Sequence, residues 1–363
     1  MTEMAALVDT RDCKVTIPAL LFAPEFYPFD FVAKSGLTRF LVVEERILDL
    51  SPFIDIRFEP LSQAQFWVNT RELFALEGQH DIRRPQPVFI FHHAFVCSTL
   101  LARCLNQVQY FFSLKEPWLL RRMADHKRAN PQVVGSTAWQ ETFCRYVMLL
   151  CRNFHSGKVP LIKVTNVANN LLAEVLRFLP GSKSLYLYSD LQSFLVSNLK
   201  KERDTQQKIP GLARDFIGDA GFARRHPQWC DVAGLSFLQV CALTWLVNLF
   251  NFRQCVEEFG SSQVRTLDAR LLLQDMPATL AALSHYYGHA PGPADIQRML
   301  DPQVTRTNAK DQSRAYGQEQ KQRESQQIRE RHAQELEQAA AWIAPLEKEL
   351  GLLEFMHRHR LSQ

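Results

Sequence analysis

Glycine is scarce in this chain, 14 residues in 363, and between Val88 and Gln109 there is neither a glycine nor a lysine. That stretch reads as an apolar strand running into a helix start. A nucleotide hydrolase carries G-x-x-x-x-G-K-[ST] in that setting, because glycines let the backbone wrap phosphate and the lysine reaches the terminal groups. Its absence argues against an ordinary ATPase or GTPase. The eight cysteines (Cys13, Cys97, Cys104, Cys144, Cys151, Cys230, Cys241, Cys255) never form C-x-x-C. With no histidines at zinc spacing, no metal is expected. Several cysteines sit in apolar runs, where a free thiol behaves as a small hydrophobe, so a reducing, cytoplasmic setting is expected. Charge of one sign is also lacking: 42 Lys and Arg stand against 38 Asp and Glu. A surplus of +4 is too small to point to nucleic acid by itself. Residues 232–252 carry no formal charge, but Thr244, Asn248 and Asn251 follow 4 and 3 spacing on one face. A polar stripe of that kind predicts a helix buried in a domain rather than one in lipid, so no membrane partner is expected.

What is present is the composition of a globular protein, 46% hydrophobic and 22% charged, which excludes overall disorder. Residues 1–85 read as a smaller α+β region with strand-like runs at 40–43 and 53–58, closing at Arg83-Arg84-Pro85-Gln86-Pro87. From residue 88 apolar strands alternate with amphipathic helices, the signature of an α/β domain with a parallel sheet and helices on both faces, a three-layer arrangement. The strands predicted are 88–91, 110–114, 159–164, 184–188 and 264–267. Helices are predicted at 99–108, 143–154 and 170–179, where apolar residues recur at 3 and 4 spacing. Residues 200–225 are basic and broken by Pro210, Gly211, Gly218 and Gly221, and read as an excursion or lid. The α/β domain is expected to span 86–316, followed by a C-terminal helical extension over 317–363. That extension has Leu336, Ala339, Ile343, Leu346, Leu350 and Leu353 in register, with Pro345 as a kink or a new helix start. A helix docked on its own domain is the simpler account; self-association through a coiled-coil seam is the other.

The loop after the first α/β strand carries the chemistry. In FIFHHAFVCSTLLARCL a strand runs into a short loop, and Ser98-Thr99 opens a helix. Free N–H groups at a helix start, with hydroxyls beside them, suit phosphate or sulfate; a simple helix N-cap is the other reading.

Here the sequence resembles the sulfotransferase family, a P-loop-type α/β fold using 3′-phosphoadenosine-5′-phosphosulfate (PAPS) as sulfuryl donor. The family's donor loop reads basic-Ser-Gly-Ser/Thr-Thr-Leu, and Ser98-Thr99-Leu100 match its end, with Cys97 at the glycine and Phe95 at the basic position. LIKVTN resembles the family strand ending in Lys-Thr-His. SLYLYSDLQSFLVSNLKK resembles the strand and helix that hold the donor's 3′-phosphate, with Ser197 on the family's Ser and Ser189 at its Arg position. VRTLDARLLLQDMPATLAALSHYYG resembles the closing strand and helix. The resemblance implies a donor site on Phe95, Val96, Cys97, Ser98, Thr99 and Leu100, with Lys163, Ser189 and Ser197, and a basic C-terminal loop carrying Lys310 and Arg314.

Sulfuryl transfer requires a deprotonated acceptor, in-line placement and cationic help for the leaving phosphate. His92 and His93 follow the strand and are candidates for base or cation. Lys115-Glu116 ends the second strand, at the carboxyl side where α/β folds place ligands: Glu116 is the candidate acceptor base and Lys115 its charge partner. Lys200, Lys201 and Arg203 are candidates to replace the charge Ser189 lacks. Two other readings remain: a nucleotide-binding or interaction module that has lost the chemistry, and a divergent P-loop kinase using Asp190 or Asp268 for Mg²⁺. The acceptor, a hydroxyl or amine on a small molecule or other substrate, is not legible, because pocket side chains and not the fold carry it.

Overall fold

The computed structural model describes residues 7–10, 13–77, 85–152, 154–155, 157–219, 221–305 and 318–362. Strands β1 (Leu7–Thr10) and β2 (Cys13–Thr16) pair antiparallel. Next come β3 (Phe26–Val32), β4 (Leu37–Val42) and β5 (Ala64–Asn69), an antiparallel sheet in that order. The parallel sheet is built from β6 (Val88–His92), β7 (Phe111–Lys115), β8 (Val159–Lys163), β9 (Ser184–Tyr188) and β10 (Val264–Asp268), in the order β10-β9-β6-β8-β7. Every residue of β6, β7 and β9 is buried. Burial on both faces is what a parallel sheet covered by helices on each side requires, so the α/β expectation holds.

The chain divides into two compact units, one of residues 1–88 and 109–168, the other of residues 89–108 and 169–363. In the first, β5 alternates exposed and buried residues, so one face of the antiparallel sheet meets solvent. Pro28 is tolerated in β3 because that strand is an edge, with a register shift between Pro28 and Asp30. Buried Arg152 holds this region together through the carbonyls of Leu20, Ala23, Phe26 and Leu149. Residues 53–58, expected as a strand, instead form a turn: the Phe58 amide bonds the Asp55 carbonyl at 2.8 Å and Arg57 caps on the Asp55 carboxylate. Ile54 then exchanges backbone bonds with Lys115 and Trp118, so the segment closes the end of β7. The helix expected at 143–154 runs Thr137–Leu150, because the Ser136 hydroxyl accepts from the Trp139 amide and starts it earlier.

In the second unit, β9 lies between β6 and β10 in parallel register. The helix Phe237–Phe259 opens on a capping box of Ser236 and Gln239 and is buried on nearly all sides. Its polar stripe is used internally: Asn248 bonds the Thr244 carbonyl and Asn169, and Asn251 bonds the Phe216 carbonyl. No helix among the described residues is long and apolar enough to cross a membrane.

The expected lid is not a loose excursion. Its helix Ile209–Asp219 packs on Phe237–Phe259 and buries Ala213, Phe216 and Ile217. Near the C-terminus the break falls at His332, between Gln318–Arg331 and Ala333–Leu350, and not at Pro345. Pro345 and Ala341, whose carbonyl loses its i+4 donor, are both exposed residues, so the helix tolerates the proline on its outer face. Leu336, Ala339, Ile343 and Leu346 form the buried face of Ala333–Leu350, which docks on Phe237–Phe259. Beyond it, Arg360 bridges Thr266 and covers the open edge of β10.

Candidate functional site

Strands β6 and β9 lie side by side, and the chain leaves them in opposite directions along the sheet, toward β7 from β6 and toward β10 from β9. The carboxyl ends of two such strands form the crevice where open α/β sheets bind ligands. The loop 93–97 leaves β6 at that crevice and enters the helix Ser98–Leu105.

Two residues of this loop, Phe95 (φ 69°) and Cys97 (φ 60°), are left-handed. For an L-residue that conformation costs about 1–2 kcal/mol, and it persists where the surroundings impose it, commonly at functional sites. It also explains the sequence comparison, since Cys97 stands at the family's glycine and adopts the backbone for which glycine is suited. Cys97 offers the helix no side-chain cap, and the first N–H groups of a helix have no intrahelical acceptor. Ser98 and Thr99 are both buried at this start.

The loop's base is fixed by side chains of the same unit. The His93 Nδ1–H donates to the Ala94 carbonyl at 2.9 Å, and Nε2 accepts from the Ser189 amide at 2.7 Å. Burial, the largest influence, pushes the His93 pKa down to about 4. His93 is therefore neutral and ties β6 to β9, which removes it as base or cation. His92 Nδ1 bonds the His93 carbonyl at 2.8 Å, which puts its proton there and makes Nε2 the basic nitrogen. The His92 carbonyl accepts from Asn169 Nδ2 at 2.9 Å.

Ser189 is buried; its carbonyl accepts the Trp245 indole N–H at 2.9 Å and its hydroxyl bonds the Asp190 carbonyl at 3.3 Å. It serves packing where the family has a cation. Asp190 caps the helix Leu191–Leu199 through Ser193, and Asp268 caps Ala269–Gln274 while pairing with Arg270 at 2.7 Å. Those caps take both carboxylates that a kinase would turn to Mg²⁺. Ser197 lies half-buried on the helix that Asp190 starts. Lys200 bonds Ser325 at 2.8 Å and faces Glu324 at 3.7 Å. Lys201, in contrast, places its ammonium 4.5 Å from the centre of the Phe95 ring. Arg203 begins a short exposed helix. Lys310 and Arg314 lie outside the described residues.

The first unit has its own polar cluster, at the ends of β7 and β8. Glu116 is the third left-handed non-glycine among the described residues (φ 60°), and its amide bonds the Lys163 carbonyl at 2.7 Å. The fully buried Lys163 ammonium is ion-paired to the Glu116 carboxylate and lies 5.7 Å from the centre of the Phe53 ring. Arg57 stacks on the same ring at 3.9 Å. Burial lowers the Lys163 pKa, and Glu116 opposes that shift. The partner of Glu116 is thus Lys163, and Lys115, also buried, donates to the carbonyls of Leu48 and Asp49 instead. Lys115 thus clamps the end of the helix Glu45–Leu50 and is not the charge partner expected from its neighbouring position.

Among the described residues no group of three or more His, Cys, Asp or Glu is arranged to hold a metal ion. A half-open cavity of about 260 Å³ is lined by His357, Arg360, Leu361 and Ser362, at the tail covering β10 and not at the strand ends.

No family model matches the chain, and no characterised protein matches it by sequence. Solved structures do match. In outline, the chain is similar to sulfotransferases. The sulfotransferase domain from the curacin biosynthetic pathway aligns at 15% identity over 69% of this chain and 99% of that one, with a TM-score of 0.42. A sulfotransferase from Alicyclobacillus acidocaldarius aligns at 12% over 73% and 96%, with a TM-score of 0.38. One from Mycobacterium tuberculosis H37Rv aligns at 13% over 72% and 80%, with a TM-score of 0.41. Scores at this level do not decide chemistry, and the functional reading rests on the loop itself.

Proposed function

We propose that the protein is a sulfotransferase-like enzyme that takes a sulfuryl group from PAPS and passes it to a hydroxyl or amine acceptor. The observation that carries this reading is the loop at the β6/β9 crevice, with left-handed Cys97 in the glycine position leading into the uncapped start of Ser98–Leu105. Such a start offers N–H groups to an anionic group, and Ser98 and Thr99 are its first two residues. In the transfer, the bond from sulfur to the donor's phosphate oxygen breaks as a bond to the acceptor forms. The acceptor's proton passes to a base, and adenosine 3′,5′-bisphosphate leaves. His92 Nε2 is the candidate base in the unit that carries the loop. His92→Gln tests it, since the base loses turnover while donor affinity stays.

A binding module that has lost the chemistry is the second reading. It is favoured by the uncharged Phe95 and by Ser189, whose hydroxyl is turned to the Asp190 carbonyl. The kinase reading is weakest, because Asp190 and Asp268 are both engaged as helix caps.

The test is calorimetric titration with adenosine 3′,5′-bisphosphate against ATP with Mg²⁺, followed by transfer of radiolabelled sulfate from PAPS to a panel of alcohols and amines. Bisphosphate bound well ahead of ATP, with label transferred, supports the enzyme; binding without transfer under every acceptor supports the module. Preference for ATP overturns both.

A further inference from the structure

None of the residues lining the cavity beside β10 belongs to the β6 loop. We propose that this cavity is a separate oxyanion site, in which Arg360, His357 and Ser362 hold a phosphate group, free or on a small phosphorylated compound. The proposal does not depend on the donor reading.

The walls are fixed by the tail's own backbone. Arg360 bridges Thr266 of β10, the Thr266 amide bonds the His359 carbonyl at 2.9 Å, and the Leu361 amide bonds the Thr266 carbonyl at 2.9 Å. The charge is one-sided, because His357, Arg360, Leu361 and Ser362 line the cavity and no carboxylate is among them. Among the described residues the Arg360 guanidinium has no ion pair or hydrogen bond, and the neighbouring acids are spent elsewhere: Asp268 holds Arg270 at 2.7 Å, and Glu354 bonds Arg358 at 3.1 Å. His357 stands in the last turn of the helix Leu352–Arg358, whose terminal carbonyls would repel an anion if left open. They are taken. The Phe355 carbonyl accepts from His359 Nδ1 at 2.9 Å, the Met356 carbonyl from the Thr266 hydroxyl at 2.5 Å, and the His357 carbonyl from the Arg360 amide at 3.2 Å.

One strand further in, Tyr188 at the end of β9 is buried, and its hydroxyl has no hydrogen-bond partner among the described residues. Burial pushes its pKa up, Asp268 adds to that, and Arg360 and Arg270 oppose it, so the Arg360 charge acts on this phenol. A buried hydroxyl without a partner calls for one, and an oxyanion on Arg360 supplies an acceptor, directly or through one water. The ligand class follows from the donors. A carboxylate has two oxygens in one plane, which the guanidinium fork matches alone. A fork, an imidazole and a hydroxyl around one cavity suit a tetrahedral group, whose oxygens point in several directions. At about 260 Å³ the space is smaller than the roughly 300–1,000 Å³ of sites for drug-sized ligands, which limits the rest of the bound molecule to a few atoms.

The experiment titrates the full chain with sodium phosphate, phosphoethanolamine and acetate at constant ionic strength, read by calorimetry and by the amide NMR shifts of residues 357–362. Phosphate and phosphoethanolamine are expected to move these amides at concentrations well below those at which acetate does, and the tighter of the two tells free phosphate from a phosphomonoester. Arg360→Gln should weaken the binding by about tenfold or more, the scale of a hydrogen bond lost to a charged group. Arg360→Lys keeps the charge without the fork and should fall between. His357→Gln should weaken it by about threefold or more. Both side chains are exposed, and each variant is checked for parent-like circular dichroism and thermal unfolding. Saturating adenosine 3′,5′-bisphosphate should leave the tail amides responsive to phosphate. Acetate bound as well as phosphate, or Arg360→Gln binding like the parent, overturns the site. Loss of the phosphate response under saturating bisphosphate overturns its separateness, since the cavity would then belong to the donor. If the protein binds no bisphosphate while phosphate still moves the tail amides, the donor reading falls and this site stands.

Discussion

The β6 loop and the β7 strand end use one backbone device for opposite purposes. Each follows a buried parallel strand, and together they hold the three left-handed non-glycine residues of the described chain, Phe95 and Cys97 in one and Glu116 in the other. Just after β6 one titratable side chain is consumed: both His93 nitrogens are spent on backbone partners and the ring stays neutral. What remains at the loop's end is a helix start without a side-chain cap, opened by the buried Ser98 and Thr99. At β7 the charges are kept, as a carboxylate and a buried ammonium paired beside an aromatic ring. Strain at a strand end therefore does not specify a role. In one place it leads into a helix start without a side-chain cap, and in the other it turns a carboxylate onto a lysine.

The contrast is sharpest where the charge is deepest. Glu116→Gln leaves the Lys163 ammonium buried without its counter-ion and should cost about 3–5 kcal/mol of stability. Adding Lys163→Met should return much of that loss, because an apolar isostere needs no partner. Chemical unfolding of the two variants measures both; a Glu116→Gln protein as stable as the parent would show that the pair is not structural.

The His93 lock makes a pH-dependent prediction of similar size. Its folded pKa is lowered to about 4, below the ordinary value of about 6.5, so the unfolded chain takes up this proton first on acidification. Stability due to His93 is complete above pH ~6.5, declines as pH falls, and is lost by pH ~4, a total of about 3 kcal/mol. Unfolding curves across that window for the parent and for His93→Gln should diverge by this amount; parallel curves would mean that the ring titrates freely. Asn248→Leu, which removes an acceptor from Asn169, should cost about 1–3 kcal/mol and loosen the backbone at His92. The smallest effect is expected at Cys97. Cys97→Val should cost about 1 kcal/mol, because a β-branched residue fits the left-handed region worse, whereas Cys97→Gly should be tolerated without loss.

Much of the fold was legible in the sequence because the five parallel strands are short, mostly apolar runs bounded by turn residues, as burial on both faces of a parallel sheet requires. The antiparallel strands were harder. β3 carries Pro28 and Asp30, and β5 is exposed at four of its six positions, so neither gives a continuous apolar signal. Residues 53–58 look strand-like, yet Asp55 turns the chain there. Pro345 suggested a break, but the helix tolerates it on its exposed face.

For the site, the loop's position and its hydroxyls could be read directly, while side-chain roles could not. The partner of His93 is 96 residues away in sequence, at Ser189, and nothing local shows that the ring is locked. Lys115 and Lys163 both end strands, and only burial and direction distinguish the clamp from the ion pair. The seat of Lys201 on Phe95 had one faint signal, a basic residue missing from the loop and a pair of lysines after Ser197.

The central claim is that the β6 loop holds the phosphates of a nucleotide donor, and it is tested most directly by a crystal structure of the protein with adenosine 3′,5′-bisphosphate. The account predicts a phosphate within hydrogen-bonding distance of the Ser98 and Thr99 amides. Bisphosphate bound elsewhere, with the loop left empty, would contradict it.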